Sequence, residues 1–193
     1  MTLYGANGRQ AGESFYASME DSISVESIGS GVEVRFGFVV CNADQRLLPT
    51  AEGLYAEAGD VDFDQVQNSA LDIGTPVAIL HASDDSLWHY VMGPSSDGWI
   101  ETEKLALCSQ EQLRDIMGRP FVTVVRAKGN VYLDARLTQY YGFVRMGSKL
   151  FLSDDKAQGV VAVVLPKRRE DGTLQVRTGY LRRQEVVAGT LSY

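Results

Sequence analysis

Hydrophobic residues Val32, Val34, Phe36, Phe38 and Val40 alternate with Glu33, Arg35 and Gly37 near the start of the chain. A period of two is the mark of a strand with one buried face. After Gly74 the run Pro76-Val77-Ala78-Ile79-Leu80 leads into a polar Ser83-Asp84-Asp85-Ser86 turn, then into Leu87-Trp88-His89-Tyr90-Val91. The same order returns later as Val160 to Leu165, a polar turn from Lys167 to Gly172, and Thr173-Leu174-Gln175-Val176. Short strands separated by polar turns predict a mainly β chain built as a small barrel or sandwich. Closing a sheet on itself also removes its exposed edges.

The recurrence has a register. A shift of 85 residues sets Phe36 on Phe121, Val39-Val40 on Val124-Val125, Leu48 on Leu133, Tyr55 on Tyr140, Gly74 on Gly159 and Leu80 on Leu165. With a shift of 81, Trp99 falls on Tyr180, Ile100 on Leu181 and Leu105 on Val186. A constant register over apolar and glycine positions predicts two homologous units, 31–107 and 120–193. Between them, at 108–119, Ser109-Gln110-Glu111-Gln112 has the spacing of a capping box, and Gly118 with Pro120 supplies a stop, so a short helical linker is expected. A second short helix is expected over Phe63 to Ser69. Residues 1–30, with Phe15-Tyr16-Ala17-Ser18-Met19, are expected to pack as an N-terminal arm.

Composition excludes several classes. The 193 residues are 45% hydrophobic and 22% charged, as in folded globular domains. No apolar run is long enough to span a membrane. The start Met1-Thr2-Leu3-Tyr4-Gly5 lacks the basic and apolar regions of a secretory signal. Cys41 and Cys108 match no zinc spacing, and only His81 and His89 could serve metal or relay chemistry, so no metal or cofactor is expected. Cys41, at the end of Phe38-Val39-Val40, is expected to be a buried inert thiol. Both histidines are expected to be surface strand residues. Neither spacing of a Gly-rich phosphate loop occurs.

The run Gly74-Thr75-Pro76-Val77-Ala78-Ile79-Leu80-His81, then Ser83-Asp84-Asp85, Leu87-Trp88 and Gly98-Trp99-Ile100, resembles the first SH3b domain of secreted NlpC-type cysteine peptidases. Asn42-Ala43-Asp44-Gln45-Arg46 and Pro49-Thr50 resemble the opening of that domain, and the second unit is similar to the SH3b domain that follows it. The resemblance implies two tandem small SH3-like β-barrels and a periplasmic or extracellular location. It also implies that a catalytic peptidase domain stands C-terminal to these barrels or acts in trans. The nucleophile of that family, a cysteine in an Asp-Cys-Ser or similar context with a later histidine, has no counterpart: Val40 precedes Cys41, Leu107 and Ser109 flank Cys108, and no histidine follows His89. The chain is therefore expected to have no catalytic residues and no enzymatic activity of its own.

Charge divides the chain. Residues 31–107 carry 13 acidic and 3 basic side chains, a net of −10, whereas 120–193 carry 6 acidic and 12 basic, a net of +6. Either the two barrels attract one another, or Lys167, Arg168, Arg169, Arg177, Arg182 and Arg183 meet anionic wall polymer or the carboxylates of stem peptides. The overall charge of −7 opposes phosphate binding, so nucleic acid is not an expected partner. In the first unit Tyr55, Ser83, Asp84, Asp85, Trp88 and Trp99 are the candidate ligand contacts. Trp88 and Tyr90 share a strand face with His89 opposite, and Trp99 is equally well read as barrel filling. The acidic pair would meet a free amine of a peptide. These readings make peptidoglycan or its stem peptide the expected partner of a non-catalytic binding or substrate-positioning region. The alternative is a stand-alone scaffold that binds a protein.

Overall fold

The computed structural model describes residues 2–189. In its first half lie β1 (Tyr4–Gly5), α1 (Glu13–Ile23), β2 (Arg35–Val39), β3 (Ala43–Arg46), β4 (Leu54–Tyr55), β5 (Gln67–Leu71), β6 (Pro76–Ala82), β7 (Trp88–Met92), β8 (Asp97–Glu101) and β9 (Leu105–Cys108). There follow α2 (Gln110–Met117), β10 (Phe121–Val124), β11 (Lys128–Tyr132), β12 (Tyr140–Arg145), β13 (Lys149–Phe151), β14 (Val160–Arg168), β15 (Leu174–Arg182) and β16 (Val186–Ala188). The protein is mainly β, and none of its sheets closes into a ring among the described residues.

Two compact units divide these elements. One comprises Met1–Val34, Ala43–Ala70 and Ala78–Thr102; the other comprises Arg35–Asn42, Leu71–Val77 and Glu103–Tyr193. Residues 190–193 of the second sequence unit, and Met1 of the arm, lie outside the described residues.

In the first unit the strands run in the order β5–β3–β8–β7–β6. Antiparallel pairing sets Arg46 opposite Trp99, Trp99 opposite Tyr90, and Tyr90 opposite His81. The other face carries His89, Val91 and Ile100, all buried. The segment expected as an arm holds an eleven-residue helix, α1, whose N-cap Gly12 makes no side-chain bond. That missing cap is why the helix left no start signal in the sequence.

The helix expected over Phe63 to Ser69 is absent; a turn leads there into β5. Asp64 is the reason. Its Oδ1 accepts the amides of Leu54 and Val66 at 3.1 and 3.0 Å. A carboxylate that satisfies the backbone two residues on competes with helix formation, and here it wins.

In the second unit β10 lies between β13 and β16, and β12–β11–β15–β14 form another sheet. One apolar cluster gathers Val122, Val124, Val131, Val144, Val163, Leu165 and Leu181, with Ile73 added from the 71–77 segment. Another gathers Phe38, Val40, Ala106, Phe151, Val164 and Leu174 around Ile116 of α2. The capping box foreseen for α2 is present: the Ser109 hydroxyl accepts from the Gln112 amide, and the Gln112 side chain accepts from Ser109 N–H. With its N-terminus so tied, an eight-residue helix can present Ile116 to the core.

Candidate functional site

Trp99 is 3% exposed and anchors the first unit. Its ring meets Tyr90 edge-to-face at 5.5 Å and His81 at 5.9 Å, geometry that aromatic quadrupoles favour. Gly98 before it is required. Its φ is +150°, and a Cβ there would stand 2.6 Å from the Arg46 carbonyl and 3.0 Å from Gln45 Cγ. The Gly-Trp pair is thus a close backbone approach followed by a core anchor. Trp99 is thus a core-filling residue, and its indole is buried rather than offered to a ligand.

Trp88 occupies the same face one pair further along β7, opposite Glu101, and is half-buried. Ser83 is 2% exposed and serves the turn: its hydroxyl accepts the Trp88 amide at 3.0 Å and donates to Asp85 at 2.6 Å. Hydrogen bonds from that hydroxyl and from the Leu87 amide hold the Asp85 carboxyl below the usual range. Asp84 and Asp85 are both exposed, and the Asp84 amide donates to the Ser22 carbonyl at the end of α1. Ser83, Asp85 and the backbone of Trp88 therefore come together in one turn, which carries two exposed carboxylates just ahead of a half-buried Trp88. Tyr55 is placed elsewhere, in β4, paired with Tyr4 of β1, its ring lying over Gly53.

Residues not singled out as contacts complete this face. The Tyr90 hydroxyl donates to Asp97, and this bond, with burial, pushes the phenol above its ordinary value. His81 Nε2 lies 2.7 Å from the Ile23 carbonyl. Arg46, 5% exposed, reaches the carbonyls of Thr50 and Glu52, the Gln67 amide oxygen and the Asp64 carboxylate. The sequence held one signal for it. Arg46 is the sole basic residue between Arg35 and Lys104 in a strongly acidic stretch.

Two expectations are corrected here. His89 is 6% exposed, with Nδ1 2.7 Å from the Thr102 hydroxyl, so it is a core residue and not a surface one. Cys41 is exposed, because the strand ends at Val39 and the chain bends as it leaves the core. Cys108 is half-buried, and burial pushes its thiol up to about 11. That is opposite to the shift a nucleophilic thiol needs.

The six basic candidates of the second unit do not form one patch. Lys167 and Arg168 end β14, and Arg169 follows in the turn, where its guanidinium donates to the Thr173 hydroxyl and the Leu174 carbonyl. Arg177 lies midway along β15, opposite Leu165. Arg182 ends β15 opposite Val160, and Arg183 follows it. Nine residue pairs join the hairpin, so its two basic ends stand about 26 Å apart at ~3.3 Å per residue. Among the described residues no cluster of three or more His, Cys, Asp or Glu side chains is placed to hold a metal.

Comparison with known proteins bears on the fold. A family model described as an SH3 domain of the SH3b1 type matches residues 54–101, the stretch that carries Trp88 and Trp99. No curated protein matches the chain. The structure is similar to that of a novel NlpC/P60 endopeptidase from Photobacterium damselae subsp. piscicida, with 23% identity and a TM-score of 0.75 over 98% of this chain and 41% of that one. It is also similar to an NlpC/P60 family protein from Bacillus cereus ATCC 10987, with 14% identity and a TM-score of 0.56 over 80% of this chain and 56% of that one. The chain spans about half the length of these two proteins or less, and at such identities the likeness is one of fold.

Proposed function

We propose that this chain is the non-catalytic, peptidoglycan-associated region of a murein peptidase, and that it binds the cell wall or positions its stem peptides. The observation that carries this reading is the coincidence of the SH3b1 match at 54–101 with the Trp88 face and its acidic turn. A half-buried Trp88 at the start of β7 and the exposed Asp84 and Asp85 of the turn that leads into it suit a stem peptide with a free amine, since a cation gains both from a π face and from a carboxylate. A peptidase domain, in the same polypeptide or in trans, would perform the cleavage in the periplasm or outside the cell. The raised thiol of Cys108, together with the structural bonds of His81 and His89, supports a non-catalytic role.

We infer from the sequence register that the chain carries two SH3b-like repeats, 31–107 and 120–193, with α2 between them along the chain, although α2, β2 and β9 all fall within the second compact unit. Val39 pairs with Leu105 as Val124 pairs with Val186, the residues that shifts of 85 and 81 relate. Val40 N–H donates to the Lys104 carbonyl at 2.9 Å, and Val125 N–H to that of Glu185 at 2.8 Å. Three-residue 3-10 turns at Thr102–Lys104 and Arg183–Glu185 keep the same register, as do Gly74 and Gly159 with φ of +88° and +81°.

A second reading, a stand-alone scaffold for a protein partner, draws support from Phe63. It is 81% exposed beside Val61 at 53%, in the loop that Asp64 anchors. Titration with soluble muropeptides, followed by tryptophan fluorescence, tests the first reading. Saturable quenching that Trp88→Ala abolishes is expected, and quenching that persists in Trp88→Ala would overturn the assignment of this face.

A further inference from the structure

The second unit has a cleft of about 690 Å³, within the range of ligand pockets. Its walls include Val160 and Ala162 of β14 on one side and Val186 and Ala188 of β16 on the other. Among the described residues both strands lie at the ends of their sheets, with β14 bridged on its outer side at Val163 by Leu152. The direction of their backbone groups follows from the recorded bonds. Gly189 N–H donates to the Phe121 carbonyl and the Glu185 carbonyl accepts from Val125, so odd-numbered residues of this strand address β10. Ala188 and Val186 then turn N–H and C=O to the open side, by the alternation of antiparallel pairing. The Ala162 carbonyl accepts from Ser153 N–H, away from β15, so the polar groups of Val160 face the cleft too. Pro166, which has no N–H, fits the same outward set.

We propose that this cleft binds a short extended peptide bearing a free carboxylate, which adds as a strand beside β16. Backbone N–H and C=O on an open edge supply the affinity of such strand addition, and the apolar walls take the side chains. Lys156 and Arg183 line the cleft and make no ion pair among the described residues. The carboxylate among the lining residues, Asp155, accepts the Tyr180 hydroxyl. That bond leaves Asp155 charged, so the lining carries two cations against one carboxylate, and a carboxylate on the peptide complements the net positive charge. That this peptide is a peptidoglycan stem rests on the reading given above; strand addition at β16 does not.

The probe is a fluorescein-labelled Ala-D-Glu-Lys-D-Ala-D-Ala peptide, followed by anisotropy against the full chain. Saturable binding is expected, weakened about tenfold by Arg183→Glu or by amidation of the peptide carboxylates. Ala188→Pro removes an N–H on the open edge and fixes φ at an exposed strand position, so it is expected to abolish binding while the protein still unfolds in one transition. If Ala188→Pro does not fold, the Lys156→Glu, Arg183→Glu double variant carries the test. No saturation at millimolar peptide, or variants that bind within about twofold of wild type, would overturn the proposal. Sacculi that still pellet the protein in those circumstances would leave the wall-binding reading standing.

Discussion

Arg46 and Asp64 form an ion pair whose side chains are 6% and 20% exposed, and through it one strand holds an entire loop. The guanidinium also bonds to Thr50, Glu52 and Gln67, so the 50–67 segment closes around a single charge. Burial works to raise the Asp64 carboxyl, but hydrogen bonds from Arg46, Val66 and Leu54 outweigh it and leave it below its ordinary value.

Removing one partner strands the other, so Asp64→Ala is expected to cost about 3 kcal/mol in urea unfolding. The Arg46→Met, Asp64→Ala double variant should lose less than the sum of the singles. Strict additivity would show that the pair is not coupled. Because the folded carboxyl titrates below its unfolded value, its contribution is present above about pH 4. It is lost as pH falls through the folded value, and Asp64→Asn should flatten that acid limb.

Gly98→Ala is expected to destabilise by on the order of 2 kcal/mol or more. The added methyl would meet the Arg46 carbonyl at 2.6 Å, on a backbone that already has φ of +150°. Thermal unfolding measures this, and an unchanged midpoint would contradict the close approach.

Ser109→Ala should cost about 1 kcal/mol through loss of the α2 cap. Hydrogen exchange at the Gln112 amide, which the Ser109 hydroxyl accepts at 3.1 Å, is expected to speed up first. Exchange that accelerates evenly along the chain would contradict a local cap.

The two thiols should separate in reactivity. Exposed Cys41 is expected to react with a disulfide reagent at pH 8 at least about tenfold faster than Cys108, whose thiol titrates near 11. Equal rates would contradict the burial of Cys108.

Strands were legible where one face is buried and the other is not. Val77, Ile79 and Val91 are buried beside half-buried neighbours, in runs the sequence marks by apolar content between polar turns. The period of two over Val32 to Val40 is met only in part, since Val32 and Val34 are exposed and precede β2, and Phe38 and Val39 are both buried. The capping box of α2 was equally plain, because its signal is local. Helix α1 was hidden, since it starts at Gly12 without a capping side chain and buries no residue fully. The turn at Asp64 was hidden for another reason: its partner Arg46 lies eighteen residues away. The same division holds in the site. Trp88 and the Ser83-Asp85 turn could be found by residue type and spacing, whereas the buried roles of His89, Ser83 and Trp99 depend on which strands pair with β7 and β8.

The most direct test of the account is co-sedimentation of the protein with purified peptidoglycan sacculi at low and raised salt. The protein is expected to pellet with sacculi at low salt, and to be retained less at raised salt because screening weakens exposed charge contacts. Trp88→Ala is expected to weaken retention further. Wild-type protein that stays in the supernatant at both salt concentrations would contradict wall association.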